Sequence, residues 1–207
     1  MAVTIDYFMT SVSPWAYLGH RPIQELARRH GAALVVRPLN LSELFKVSGQ
    51  VSLAERPAVR RRYRDLELQR WSEFRGRKAS LKPKHFPTDP SQADHAIIAL
   101  VEAGADPLPF MDRVYSAVWA DDLQIADAAV LAGLLSDCGH DADGILAAAA
   151  TPEVAAIRAR NTADAIAVDA VGVPSYVLGG EAFWGQDRID LLEHAISTSR
   201  PPIRSGA

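Results

Sequence analysis

Ser13 stands directly before Pro14, and the pair opens a helical pattern that follows a strand pattern. Serine caps a helix with its hydroxyl, and proline suits the first helical position, where no N–H is needed. The head of a helix also gathers unpaired N–H groups and the positive end of the dipole, so it stabilises an anion such as a thiolate. A serine hydroxyl there can donate a hydrogen bond to it. The chain has one cysteine, Cys138, remote in sequence from Ser13. That excludes an intramolecular disulfide, a Cys-x-x-Cys pair and a cysteine-rich zinc site. Thiol chemistry at Ser13 would therefore need a thiol from a ligand. An isolated Ser-Pro, by contrast, is usually no more than a helix cap.

The elements that must hold Ser13 lie on either side of it. Val3, Ile5, Tyr7 and Met9 alternate with Thr4, Asp6 and Phe8, the pattern of a strand covered on both faces. The helix opened by Pro14 runs towards Arg28, Arg29 and His30 and stops at Gly31, with a kink or break expected at Pro22. Ala33 to Arg37 reads as a second strand, which completes a β-α-β unit. Pro38, Asn40, Ser42, Ser48 and Gly49 mark a loop with one short helix around Leu44–Val47, and residues 91–170 show helical spacing throughout. Strand grammar then returns: Gly172 to Leu178, entered through Pro174, a Gly179-Gly180 turn, and Glu181 to Trp184. A last helix, Arg188 to Ile196, has Asp187 placed as its cap. The expected organisation is a discontinuous α/β domain over 1–40 and 171–198, a loop and helical insertion over 41–170, and a loose tail over 199–207.

The 207 residues are 48% apolar and 23% charged with a net charge of −3, a globular balance that points to neither nucleic acid nor membrane. No basic leader opens the chain, and no apolar run approaches the ~20 residues that span a bilayer, so a cytoplasmic location is expected. Charge is unevenly spread. Residues 56–84 hold eleven Lys and Arg against three acids, a local +8 that leaves −11 for the remainder. Such a run is usually a solvated helix face, but it could also form a rim that attracts small anions. The histidines show no metal-ligand spacing. Asp121, Asp122 and Asp127 read as caps at a helix start, so no metal is expected. Trp119 and Trp184 read as core or as the wall of an apolar pocket.

Four ordered blocks carry a resemblance over nearly the whole chain. They are Asp6-Tyr7-Phe8 with Ser11-Val12-Ser13-Pro14-Trp15-Ala16-Tyr17-Leu18-Gly19, then Arg37-Pro38 with Phe45-Lys46-Val47-Ser48-Gly49-Gln50, then Gly172-Val173-Pro174-Ser175, and Phe183-Trp184-Gly185-Gln186-Asp187-Arg188. Together they resemble the family of 2-hydroxychromene-2-carboxylate isomerases and kappa-class glutathione transferases, relatives of the DsbA oxidoreductases. The resemblance implies a thioredoxin-like fold with an all-helical insertion, in which Ser13 takes the place of the redox cysteine and Pro174 is a cis proline facing it. It implies glutathione as cofactor, its sulfur facing Ser13 and its cysteinyl backbone paired with Val173. Gln186 and Asp187 would hold its γ-glutamyl end. Lys46 is a candidate anion partner, and Gln50 stands where the family often has asparagine. The implied reaction interconverts 2-hydroxychromene-2-carboxylate and trans-o-hydroxybenzylidenepyruvate, through thiolate addition, bond rotation and elimination. A homodimer acting on a small aromatic carboxylate is expected. Two other readings stay open: a kappa-like transferase or peroxidase, and a glutathione-binding module without catalysis.

Overall fold

Strand β1 (Thr4–Met9) pairs with a strand on each side, and four of its residues, Ile5, Tyr7, Phe8 and Met9, are buried. A computed structural model describes residues 3–204. β2 (Ala33–Pro38) runs parallel to β1, while β3 (Ser175–Leu178) lies antiparallel on its other side and pairs in turn with β4 (Glu181–Trp184). The sheet order is β2-β1-β3-β4, with Tyr7 opposite Val36 on one side and Tyr176 on the other. Gly179 and Gly180 both have positive φ, 58° and 86°, and close the expected hairpin. This is the expected thioredoxin-like arrangement.

Alternation along β1 sends its residues to two apolar clusters. Ile5, Tyr7 and Met9 meet Ile23 and Leu26 of α1 (Pro14–His30). The same cluster takes in Ile97 of α4 (Ser91–Glu102), Phe110 and Trp119 of α5 (Leu108–Trp119), and Leu192 of α9 (Ile189–Thr198). Phe8 points the other way. It joins Leu44 of α2 (Leu41–Ser48), Ala165 of α8 (Pro152–Ala167), Val173 and Val177. The remaining helices are α3 (Ala58–Phe74), α6 (Ala128–Asp137) and α7 (Ala142–Ala149). The inserted helices therefore share their core with the sheet layer.

Several expectations need correction. α1 continues through Pro22, because the helix loses one backbone bond there but buries apolar residues on both sides, from Ala16 to Leu18 and from Ile23 to Ala27. The basic segment contains the 17-residue α3, whose basic face is largely exposed, as a solvated helix face would be. Not all its cations face water. Arg77 is buried, donates to the Tyr17 carbonyl at 3.0 Å, pairs with Asp112 and lies 3.8 Å above the Tyr17 ring, so it ties the insertion to α1. Asp127 caps α6, but Asp122 accepts the backbone N–H of Lys84 instead of capping a helix. Asp187 does not cap the last helix either. It lies inside a 3-10 turn, Gln186–Arg188, that precedes α9. The segment expected as a loose tail is tied down as far as Ile203. Arg200 forks onto Glu181 at 2.7 Å through both terminal nitrogens, and the Ile203 N–H adds a bond to the same carboxylate. Residues 205–207 of that tail lie outside the described residues.

His20 of α1 is fully buried among Tyr7 and Tyr115, its Nε2 donating to the Leu108 carbonyl at 3.0 Å. Burial holds its pKa down at about 4, from an ordinary 6.5. Between these values the unfolded chain binds the proton and the folded chain does not, so stability rises with pH across that window. Urea titrations should show about 3 kcal/mol lost from this group as pH falls from 6.5 towards 4. The slope in that window should be shallower in His20→Phe. An equal slope in both proteins would remove His20 as its source.

Candidate active site

The loop between β1 and α1 delivers Ser13 to the head of the helix. Its backbone is extended, at φ −81° and ψ 119°, and its Oγ accepts the Ala16 N–H at 3.2 Å, an ordinary capping bond. The same Oγ donates a long bond, 3.5 Å, to the carbonyl of Val173, 160 positions later. The Val173–Pro174 peptide is cis, and the Ser13–Val173 bond sets this turn against the helix mouth. Pro14 has no N–H to offer, and the amide of Trp15 has no partner within the helix. A buried hydroxyl and an unsatisfied helix head thus converge on one point, and no protein thiol is placed there.

A second turn is joined to the first. The Pro174 carbonyl accepts the Gly185 N–H at 2.8 Å, which leads directly into Gln186 and Asp187. Gly185 has φ 106°, a conformation that disfavours any side chain, and a Cβ there would collide with the Asp187 carboxylate. Gly19 lets the turn settle on α1: a Cβ there would stand 2.7 Å from that of Gln186 and 2.8 Å from the Tyr176 hydroxyl. Gln186 is 2% exposed, and its side-chain oxygen is held by Arg75 through Nε at 3.1 Å and Nη2 at 3.0 Å. Nη2 also reaches the Gln186 carbonyl at 3.3 Å. Asp187 is exposed and pairs with its neighbour Arg188.

Ser13, Val173, Pro174, Gln186 and Asp187 are therefore linked through successive backbone and side-chain contacts. Lys46 and Gln50 make no side-chain hydrogen bond to this group among the described residues. Their helix α2 packs Leu44 into the cluster that contains Val173, but Lys46 is exposed and paired with Glu43 at 2.7 Å. Gln50, half-buried, follows the αL cap at Gly49. Exposed pairs contribute about 0–1 kcal/mol, so an arriving anion could draw Lys46 away. Arg75 was visible in the sequence only as one of eleven basic residues; its grip on Gln186 joins positions 111 apart and leaves no local signal. It also lies 5.1 Å over the Trp71 ring and 5.3 Å over that of Phe74, whose side chain is exposed. Trp119 is core, whereas Trp184 is partly exposed. Cys138 ends α6, and burial pushes its thiol pKa up, the opposite of an activated nucleophile. Among the described residues no group of His, Cys, Asp and Glu could hold a metal, and no helix is long and apolar enough to cross a membrane.

The comparisons with known proteins agree with this fold. A 2-hydroxychromene-2-carboxylate isomerase of Sphingobium xenophagum is 28% identical over 195 residues, covering 93% of this chain and 97% of its own. An isomerase of the same name from Pseudomonas putida is 26% identical, covering 93% of each chain. Among solved structures, a 2-hydroxychromene-2-carboxylate isomerase superposes with a TM-score of 0.81 at 22% identity over 95% of both chains. The cytosolic disulfide reductase DsbM of Pseudomonas aeruginosa does so at 0.70 and 17%, over 95% of this chain and 98% of its own. The model of the DsbA-like thioredoxin domain matches residues 4–197. With its sheet, its helix mouth and its facing proline in place, the chain belongs to the DsbA-like thioredoxin domain family.

Proposed function

We propose that this protein is a glutathione-dependent isomerase that interconverts 2-hydroxychromene-2-carboxylate and trans-o-hydroxybenzylidenepyruvate. The observation that carries the reading is Ser13 at the head of α1, facing Val173 where no protein thiol is available. The names of the full-length relatives support it. So does the DsbM structure determined with GSH, which shares the fold at a TM-score of 0.70. The same reading carries a cytoplasmic homodimer that takes a small aromatic carboxylate and no nucleic acid.

The residues present fit glutathione. When bound, it would supply a thiolate able to add reversibly to a conjugated carbon, which the chain's own side chains do not offer. Ser13 would turn its hydroxyl proton from the Val173 carbonyl towards the sulfur, with the Trp15 amide as a second donor. Val173 would meet the extended cysteinyl backbone at the turn. Asp187 would take the γ-glutamyl ammonium, above a Gln186 held still by Arg75. Lys46 and Gln50 would approach from α2. The exposed cations of α3, with Phe74 and Trp184, would form a rim for an aromatic carboxylate.

Ser13→Ala should lose roughly 10- to 150-fold in turnover, the worth of a hydrogen bond to a charged group. The lost cap should cost only ~1 kcal/mol of stability in the same variant. Steady-state kinetics and urea unfolding separate the two effects, and wild-type turnover in the variant would reduce Ser13 to a cap. Asp187→Ala should weaken glutathione binding far more than it slows saturated turnover, because that contact is remote from the reacting sulfur. Calorimetry giving equal affinities would remove Asp187 from the site. Activity should vanish without glutathione, return with catalytic amounts, and not return with S-methylglutathione; Cys138→Ser should leave it unchanged. Full activity in glutathione-free protein would refute the mechanism, and stoichiometric consumption of glutathione would make the protein a transferase instead.

A further inference from the structure

The loop that carries Ser13 hangs from a carboxylate in the interior. Asp94, in the first turn of α4, is 0% exposed. Its Oδ1 accepts the Ser11 N–H at 2.8 Å, and its Oδ2 accepts the Thr10 hydroxyl at 2.8 Å. Arg158 of α8 donates to the same Oδ2 at 2.8 Å and reaches the Ser91 hydroxyl at 3.3 Å with its other terminal nitrogen. The Ser13 N–H in turn donates to the Thr10 carbonyl at 3.1 Å. One ion pair from the inserted helices thus grips the two residues at the end of β1, and these fix the residue that caps α1.

A pair of this kind is an expensive way to fill space. Burying two charges costs several kcal/mol per ion, and a well-packed apolar replacement is often as stable. What the carboxylate adds is direction: two acceptor oxygens fix the Ser11 amide and the Thr10 hydroxyl together, while the guanidinium and the α4 dipole balance the charge. A shift of this loop would move the Ser13 hydroxyl and the first-turn amides together.

We propose that Asp94 is a positioning residue, which holds Thr10 and Ser11 so that Ser13 and the head of α1 are aimed at the Val173–Pro174 turn. This rests on the reading of Ser13 as the glutathione-sulfur site. Arg158 serves as its counter-ion, and Thr10 transmits the hold to Ser13.

Replacing Asp94 would strand the Arg158 guanidinium in the interior and endanger the fold, so the test uses two milder variants. Thr10→Val and Ser91→Ala each delete one hydroxyl bond from the same cluster, but only Thr10 lies on the Ser13 loop. Three quantities are measured in both: urea stability, kcat and KM for 2-hydroxychromene-2-carboxylate, and the pKa of bound glutathione from thiolate ultraviolet absorbance. Both variants should lose similar stability. Thr10→Val should raise the bound thiol pKa and lower kcat roughly three- to tenfold with KM held, the scale of one hydrogen bond. Ser91→Ala should keep the wild-type thiol pKa and kcat. Indistinguishable behaviour of the two variants, whether both shift or neither does, would overturn the proposal. Absence of any glutathione thiolate on the wild-type protein would overturn the underlying reading of Ser13, and the proposal with it.

Discussion

The structure depends on a helix whose first turn has no anion of its own. Unpaired amides and a positive dipole end at the head of α1 are an ordinary feature of any helix, normally answered by a capping side chain or by water. Here the cap is a single serine hydroxyl, already shared between the Ala16 amide and the Val173 carbonyl. The mouth is walled by the proline turn, and the Gln186–Asp187 turn is bonded to that one through Gly185. The protein's own sulfur, on Cys138, belongs to the end of α6.

The insertion is bonded to the loops that surround this mouth. α8 donates Arg158 to Asp94, and Asn161 to the Pro38 carbonyl, while the Thr162 hydroxyl accepts the Asn40 amide at the start of α2. The segment after α3 contributes Arg75 to the Gln186 turn and Arg77 to the backbone of α1. A sheet of four strands offers few rigid attachment points for its loops. Buried charged donors from the helical layer supply them, and the shared apolar core keeps the two layers in register. The basic segment is thereby divided, with Arg75 and Arg77 used internally and much of α3 left to face solvent and, on this account, substrate.

Local grammar explains what could be read from the chain. Ser13-Pro14 and Gly31 mark the two ends of α1 because caps and αL glycines are decided by a few neighbouring atoms. The Gly179-Gly180 turn, the alternation in β1 and the proline-led start of β3 are legible for the same reason. Pro22 does not break α1, because packing on both sides of it outweighs local propensity. Asp187 misled because a 3-10 turn, a tertiary matter, stands where a cap was expected. Asp94 and Arg75 carry no local mark at all, since their partners lie 84 and 111 positions away and no spacing rule joins such residues.

The central claim is that the α1 mouth receives the sulfur of glutathione. A crystal structure of the protein with glutathione tests it most directly. The account predicts the sulfur within hydrogen-bonding reach of Ser13 Oγ and the Trp15 amide, the cysteinyl backbone along Val173, and the γ-glutamyl ammonium on Asp187. Glutathione bound elsewhere, or bound at the mouth with its sulfur turned away from Ser13, would contradict it.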